Sequence, residues 1–167
     1  LSRTSDSKEI KICFRVPVKP LVLDDYTTEK IKDYGFAIYN DGIRQKITDV
    51  KVKGDCVYIT CEKDLLGAIE VTYAGADEFK GHGNLRDSDD YEAYYTYIDQ
   101  DEKNSDGTFV FARDKDKNGN YVTLRPNYEP RDKSGNIIYG RPYPLYNFSV
   151  AFYYKLDKGV KKYRIHI

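Results

Sequence analysis

Three segments of this chain alternate apolar and polar residues with a period of two, and no other feature constrains the fold as strongly. Ile10, Ile12, Phe14 and Val16 alternate with Lys11, Cys13 and Arg15. Val57 and Ile59 alternate within Cys56 to Cys61, and Phe148, Val150, Phe152 and Tyr154 alternate with Ser149, Ala151 and Tyr153. Period two sends successive side chains to opposite faces of a sheet, so each segment reads as a strand with one buried face. Shorter strand signals fall at Leu21–Leu23, Gly35–Tyr39, Ile47–Lys53 and Gly67–Tyr73. Asn40-Asp41-Gly42 and Gly54-Asp55 have the glycine chemistry of tight hairpin turns. Thr27 to Lys32 reads as a helical turn capped by Thr27 or Thr28. Closely spaced short strands predict an all-β sandwich, immunoglobulin-like or jelly-roll. Its core should take Ile12, Phe14, Val57, Ile59, Val150 and Phe152 from two facing sheets. Residues 1–7 are polar and read as a linker, with residues 8–167 forming a single sandwich domain.

Between Ala74 and Leu145 the pattern changes to a long polar stretch. Nine of the seventeen tyrosines lie between Tyr91 and Tyr146. Tyr91 to Ile98 alternates like a strand, which places Tyr91, Tyr95 and Tyr97, or alternatively Tyr94, partly in a core. Thr108–Ala112 and Tyr121–Leu124 flank a charged turn. Pro126, Pro130, Pro142 and Pro144 then punctuate a loop, and no internal repeat is evident. The sandwich is therefore expected to carry a long tyrosine-rich insert.

Composition excludes several function classes. Lys+Arg and Asp+Glu balance at 27 each over 167 residues, without the basic excess of most nucleic-acid-binding domains. No nucleic-acid partner is expected on that basis. No run approaches the roughly twenty apolar residues of a membrane-spanning helix, so no membrane insertion is expected. The chain opens on Leu1-Ser2-Arg3-Thr4 with neither methionine nor an apolar leader core, which predicts a piece of a longer protein. Cys56 and Cys61, five apart on one strand, point to opposite faces and cannot bridge each other. Cys13 can pair with either across strands, but three free thiols are expected.

Motifs for catalysis are lacking. There is no nucleophile elbow, phosphate-binding loop or dinucleotide fingerprint. Ser88, Asp87 and His82 lie within seven positions, which is not a triad spacing. No enzymatic activity is predicted, and a small hydrolase with two facing carboxylates is the least favoured reading. Asp114 to Asn120 has the D-x-D-x-N-G spacing of a calcium loop, but Arg125 stands where the closing glutamate belongs. It reads instead as a hairpin turn requiring Gly119 at positive φ, as does Asp132 to Asn136. No Cys/His spacing suits zinc, and no metal or cofactor is expected.

A binding role rests on different residues. In Gly81 to Asp90, two glycines let the backbone approach something closely. Asn84, Arg86 and Asp89 there offer donors and acceptors for hydroxyl groups, or else tie the loop to itself. Tyr91, Tyr128, Tyr139, Tyr143 and Tyr146 lie in or beside the insert, where their flat rings suit the CH face of a sugar.

Gly81-His82-Gly83-Asn84-Leu85-Arg86-Asp87-Ser88 and Pro142-Tyr143-Pro144-Leu145-Tyr146-Asn147-Phe148-Ser149-Val150 resemble the C-terminal β-sandwich accessory domains of secreted polysaccharide-degrading enzymes of gut and rumen Bacteroidetes. The strand end Val71-Thr72-Tyr73-Ala74-Gly75 fits the same likeness, which covers most of residues 8 to 156. The resemblance implies a non-catalytic carbohydrate-binding module that anchors a parent enzyme to plant polysaccharide. Its partners would be that glycan and the catalytic domain of the same parent chain. It also implies a secreted, cell-surface or periplasmic bacterial setting. The alternative it allows is a ligand-free immunoglobulin-like spacer.

Overall fold

The computed structural model describes residues 1–96, 98, 99, 101–110, 115–120 and 129–162, with Tyr143 described in its backbone alone. The described residues are almost entirely β. Their strands are β1 (Ser2–Arg3), β2 (Glu9–Cys13), β3 (Val22–Leu23), β4 (Phe36–Asn40), β5 (Ile43–Arg44), β6 (Ile47–Lys53), β7 (Cys56–Cys61), β8 (Ile69–Tyr73), β9 (Leu85–Arg86), β10 (Glu92–Thr96), β11 (Pro142–Pro144) and β12 (Phe152–Leu156). A one-turn helix, α1, spans Ala76–Phe79.

The chain divides into two compact units. The first comprises 1–90 and 146–167, and the second comprises 91–145. In the first, two four-stranded antiparallel sheets run β1-β2-β7-β6 and β12-β8-β4-β5, and β3 pairs with β9. Ile10, Ile12, Val57, Ile59 and Cys61 of one sheet share a single buried cluster with Phe36, Ile38, Ile69, Val71, Tyr73 and Leu156 of the other. Phe14 and Phe152 close it with ring centroids 5.6 Å apart, and Phe152 lies 5.4 Å from Tyr73. This is the predicted all-β sandwich, and the alternation that predicted it is the alternation that fills its core. The β4–β5 hairpin turns on Asp41 and Gly42, both at positive φ, as their sequence requires.

Several local expectations need correction. Val150 is 80% exposed. Residues 147–149 follow β9, with Ser149 N–H donating to Leu85 O at 2.8 Å and Phe148 bridging Arg86. The chain joins β8 only from Phe152 onward, so the alternation is interrupted where it changes neighbours. Residues 1–7 contain β1, which pairs with β2 while Arg3 donates to Leu65 O and Gly67 O. Thr27 to Ile31 forms no helical turn, and Lys32 opens a single 3-10 turn, Lys32–Gly35. Instead the Asp24 carboxylate takes the Thr27 N–H at 2.9 Å and its hydroxyl at 2.5 Å. Cys13 and Cys56 form a disulfide, and the buried Cys61 is the free thiol. They are direct cross-strand partners in β2 and β7, with Cα atoms 4.0 Å apart.

The second unit contains the β10–β11 pair and a series of tight turns. Asp116 to Asn120 and Asp132 to Asn136 share one hydrogen-bond pattern. The N–H of the aspartate donates to the carbonyl four residues on, at 2.8 and 2.9 Å, and the glycine N–H returns to the aspartate carbonyl. Gly119 and Gly135 sit at φ 83° and 85°, which gives the three-residue hairpin loop with a glycine bulge. The repeated Asp-Lys-x-Gly-Asn turn is thus a structural repeat. Asp114, Arg125 and Tyr121–Leu124 lie outside the described residues, as do Phe111 and Ala112 at the end of the expected Thr108–Ala112 strand and 163–167 of the last strand that the sequence suggests at Lys161–Ile167.

Candidate ligand-binding site

The residues proposed from the Gly81–Asp90 loop come together in the first unit around Arg86. The loop follows α1, which ends at Lys80 and Gly81 with positive φ. The close approach that its glycines permit is internal: a Cβ on Gly83 would collide with the Tyr73 ring. Tyr73 Oη accepts the Leu85 N–H at 2.8 Å, and burial pushes this phenol up to about 12. The next residue, Asn84, has no exposed surface. Its amide nitrogen donates to Asp24 O (2.8 Å), Glu29 O (3.0 Å) and Thr28 Oγ1 (3.2 Å), and its oxygen accepts the Ile31 N–H at 2.8 Å. Asn84 bolts the 24–31 loop to β9 and is inaccessible to a ligand, which corrects its assignment as a hydroxyl-binding residue.

Arg86 is buried at the end of β9. Its Nε donates to Asp24 Oδ2 at 2.6 Å, Nη1 to Asp87 O at 2.7 Å and Nη2 to Tyr26 Oη at 2.9 Å. The guanidinium carbon lies 3.5 Å from the Tyr146 ring centroid, a cation–π stack. Tyr146 therefore belongs with Arg86, but as its cover. Asp89 is also buried, and the Asn147 amide joins it to Asp87, at 3.0 and 3.3 Å. Ser88 donates its hydroxyl to Val18 O. Arg86 thus binds the backbone of its own loop at Asp87 and the side chains of Asp24 and Tyr26 from the 24–31 loop.

Tyr91, Tyr139 and Tyr143 belong to the second unit; Tyr139 is half-buried there, and Tyr128 lies outside the described residues. Of the tyrosines expected to be partly buried in 91–98, Tyr97 lies outside the described residues and the others are exposed. Tyr91 is 72% exposed, Tyr95 is 80% exposed, and Tyr94 is fully exposed. Among the described residues β10 pairs only with β11, and alternation in a two-stranded ribbon does not by itself imply a core. Tyr94 and Tyr95 were absent from the predicted site because a strand pattern was equated with burial. The carboxylates of the repeated turns are engaged locally. Asp116 accepts the Asn118 and Asn120 N–H groups at 2.8 and 3.0 Å. Asp132 accepts those of Ser134 and Asn136, both at 2.9 Å. These bonds stabilise the charged form and hold both carboxyls below their usual range, backbone donation from Asn120 leading at Asp116 and the Asn136 amide leading at Asp132.

No family model matches the chain, and neither a curated protein nor a solved structure is detectably similar to it.

Proposed function

We propose that the chain is a non-catalytic glycan-binding module that tethers a larger polysaccharide-degrading enzyme to its substrate. One observation carries this reading: Tyr94 and Tyr95, consecutive on β10, are exposed with almost their whole rings in solvent. Such rings contribute nothing to a core, and each offers a large apolar face with a hydroxyl tip. A sugar presents the complement, a CH face edged by hydroxyls. The Cys13–Cys56 bridge supports a secreted or periplasmic setting. A second reading, a ligand-free spacer, draws on the internal use of Asn84 and Arg86.

The test is affinity electrophoresis and a glycan array against β-glucan, xyloglucan, mannan, xylan and pectin. Tyr94→Ala and Tyr95→Ala should each weaken the best interaction by about 1 kcal/mol, several-fold in Kd, with near-UV circular dichroism verifying the fold. Unchanged affinity in both variants would remove the tyrosines from the site. No retention on any of these glycans would favour the spacer.

A further inference from the structure

The outward face of the β1-β2-β7-β6 sheet carries a second pattern. Its inward positions are Ile10, Ile12, Val57 and Ile59, so the residues between them point outward. Strand register aligns those residues in rows across the sheet. Ser2 pairs with Lys162 on one side and Lys11 on the other, Lys11 pairs with Tyr58, and Tyr58 pairs with Lys51. Cross-strand partners share a face, so Lys162, Ser2, Lys11, Tyr58 and Lys51 form one transverse row. The adjacent row is Cys13, Cys56 and Lys53. The ammonium groups of Lys11 and Lys53 stand 5.3 and 5.1 Å from the Tyr58 ring centroid. Lys51 is paired with Asp49. Among the described residues, Lys11, Lys53 and Lys162 have no carboxylate partner within salt-bridge distance. Glu9 and Asp49 lie in the row on the other side of Tyr58, with Thr60 between them.

We infer that this face binds an acidic polysaccharide, a polymer of uronic-acid sugars, with Tyr58 beneath a sugar ring and Lys11, Lys53 and Lys162 meeting carboxylates. Both chemical components of such a ligand are matched: a flat CH face and regularly spaced anions. The charge density argues against a nucleic acid. Four inter-strand steps make the row roughly 19 Å long, over which a DNA duplex presents about eleven phosphates. Three unpaired lysines fall far short of that number, and the acidic row would repel a denser polyanion. A polymer with one carboxylate per sugar is the closer match. The inference shares with the proposed function only that the ligand is a glycan, since its residues lie in the other unit.

The test is affinity electrophoresis of the whole chain in gels containing polygalacturonate, with xyloglucan gels and duplex and single-stranded DNA shifts alongside. Polygalacturonate should retard the protein at low salt and lose its grip as salt screens the lysines. The Lys11→Gln/Lys53→Gln variant should bind about four- to twenty-five-fold more weakly, at roughly two- to five-fold per exposed charge pair. Lys11→Arg/Lys53→Arg should retain polygalacturonate binding. Absence of retardation by polygalacturonate would overturn the inference. So would equal retardation of the glutamine variant, or stronger binding to DNA. Loss of xyloglucan binding in the Tyr94/Tyr95 variant alone would bear on the proposed function and leave this inference standing.

Discussion

Replacing Arg86 by methionine should produce the largest loss of stability of any single change to the loop between α1 and β10. The wild-type side chain and that of Asp24 are 6% and 0% exposed, and their atoms approach to 2.6 Å. Methionine fills much of the same volume but removes the bonds to Asp24, Asp87 O and Tyr26, and the stack on Tyr146. Asp24 is then a buried carboxylate without its cation. Breaking a buried pair from one side costs about 3–5 kcal/mol, mostly through the charge left behind. Folded domains hold only about 5–15 kcal/mol in total, so the variant should remain folded but lose roughly 10–20 °C in Tm. Urea unfolding followed by near-UV circular dichroism gives the free energy, and an unchanged m-value shows that the same surface is exposed. The double variant Asp24→Leu/Arg86→Met removes both charges and should recover at least about 1 kcal/mol over Arg86→Met alone. A loss below about 1 kcal/mol in Arg86→Met, or a double variant no more stable than the single, would refute the desolvation argument.

Other outcomes follow from the same coordinates. Gly83→Ala places a methyl group into the Tyr73 ring and should cost about 1–3 kcal/mol as an overpacking change, whereas Tyr73→Phe/Gly83→Ala should not restore stability, since the collision is with the ring itself. Denaturation without reductant should expose one thiol per chain to Ellman's reagent, and three after reduction; three at the outset would show that Cys13 and Cys56 are not joined. Cys13→Ser should cost about 4 kcal/mol by the loop-entropy argument for a separation of 43 residues. Burial raises Cys61 from 9.0 to about 11 and Tyr73 from 10.0 to about 12. Both hold their protons more tightly when folded, so their contribution is complete below pH 9 and fades as pH rises through 9–12. Urea midpoints at pH 8, 10 and 11.5 should fall in that order, and a flat profile would show that neither group titrates on unfolding.

The sandwich was legible because β2 and β7 turn alternate residues into the core, which writes period two into Ile10–Ile12 and Val57–Ile59, whereas β4, with Phe36, Ala37 and Ile38 all buried, carries no such alternation. Val150 was misread for the same reason: alternation does not reveal that a strand has changed partners. The cysteines failed differently, since Cys13 and Cys56 become neighbours only through the β2–β7 register, and register follows from the whole hydrophobic pattern. At the candidate site, sequence located Arg86, Asn84, Asp89 and Tyr146 as a polar and aromatic concentration. It did not reveal that Asp24, some sixty positions earlier, was their partner and would draw them inward. Tyr94 and Tyr95 were obscured because periodicity shows which way a side chain points, and only tertiary structure shows whether anything faces it.

The two chain crossings between the units have a consequence for how this protein can vary. Leu145 N–H donates to Tyr91 O at 2.7 Å, so the insert leaves and returns through residues already held together. Among the described residues, no member of the sandwich core comes from 91–145. For loop closure, the insert counts as a connection between residues that are already paired, whatever its length. Loop closure costs only about 0.6 kcal/mol more for each doubling of length. The Asp-Lys-x-Gly-Asn turn, used at both 116 and 132, supplies a unit in which such length can be added or removed, one hairpin at a time, with no register shift in either sheet. The insert is in this sense a segment whose length can change while the residues that close it stay paired.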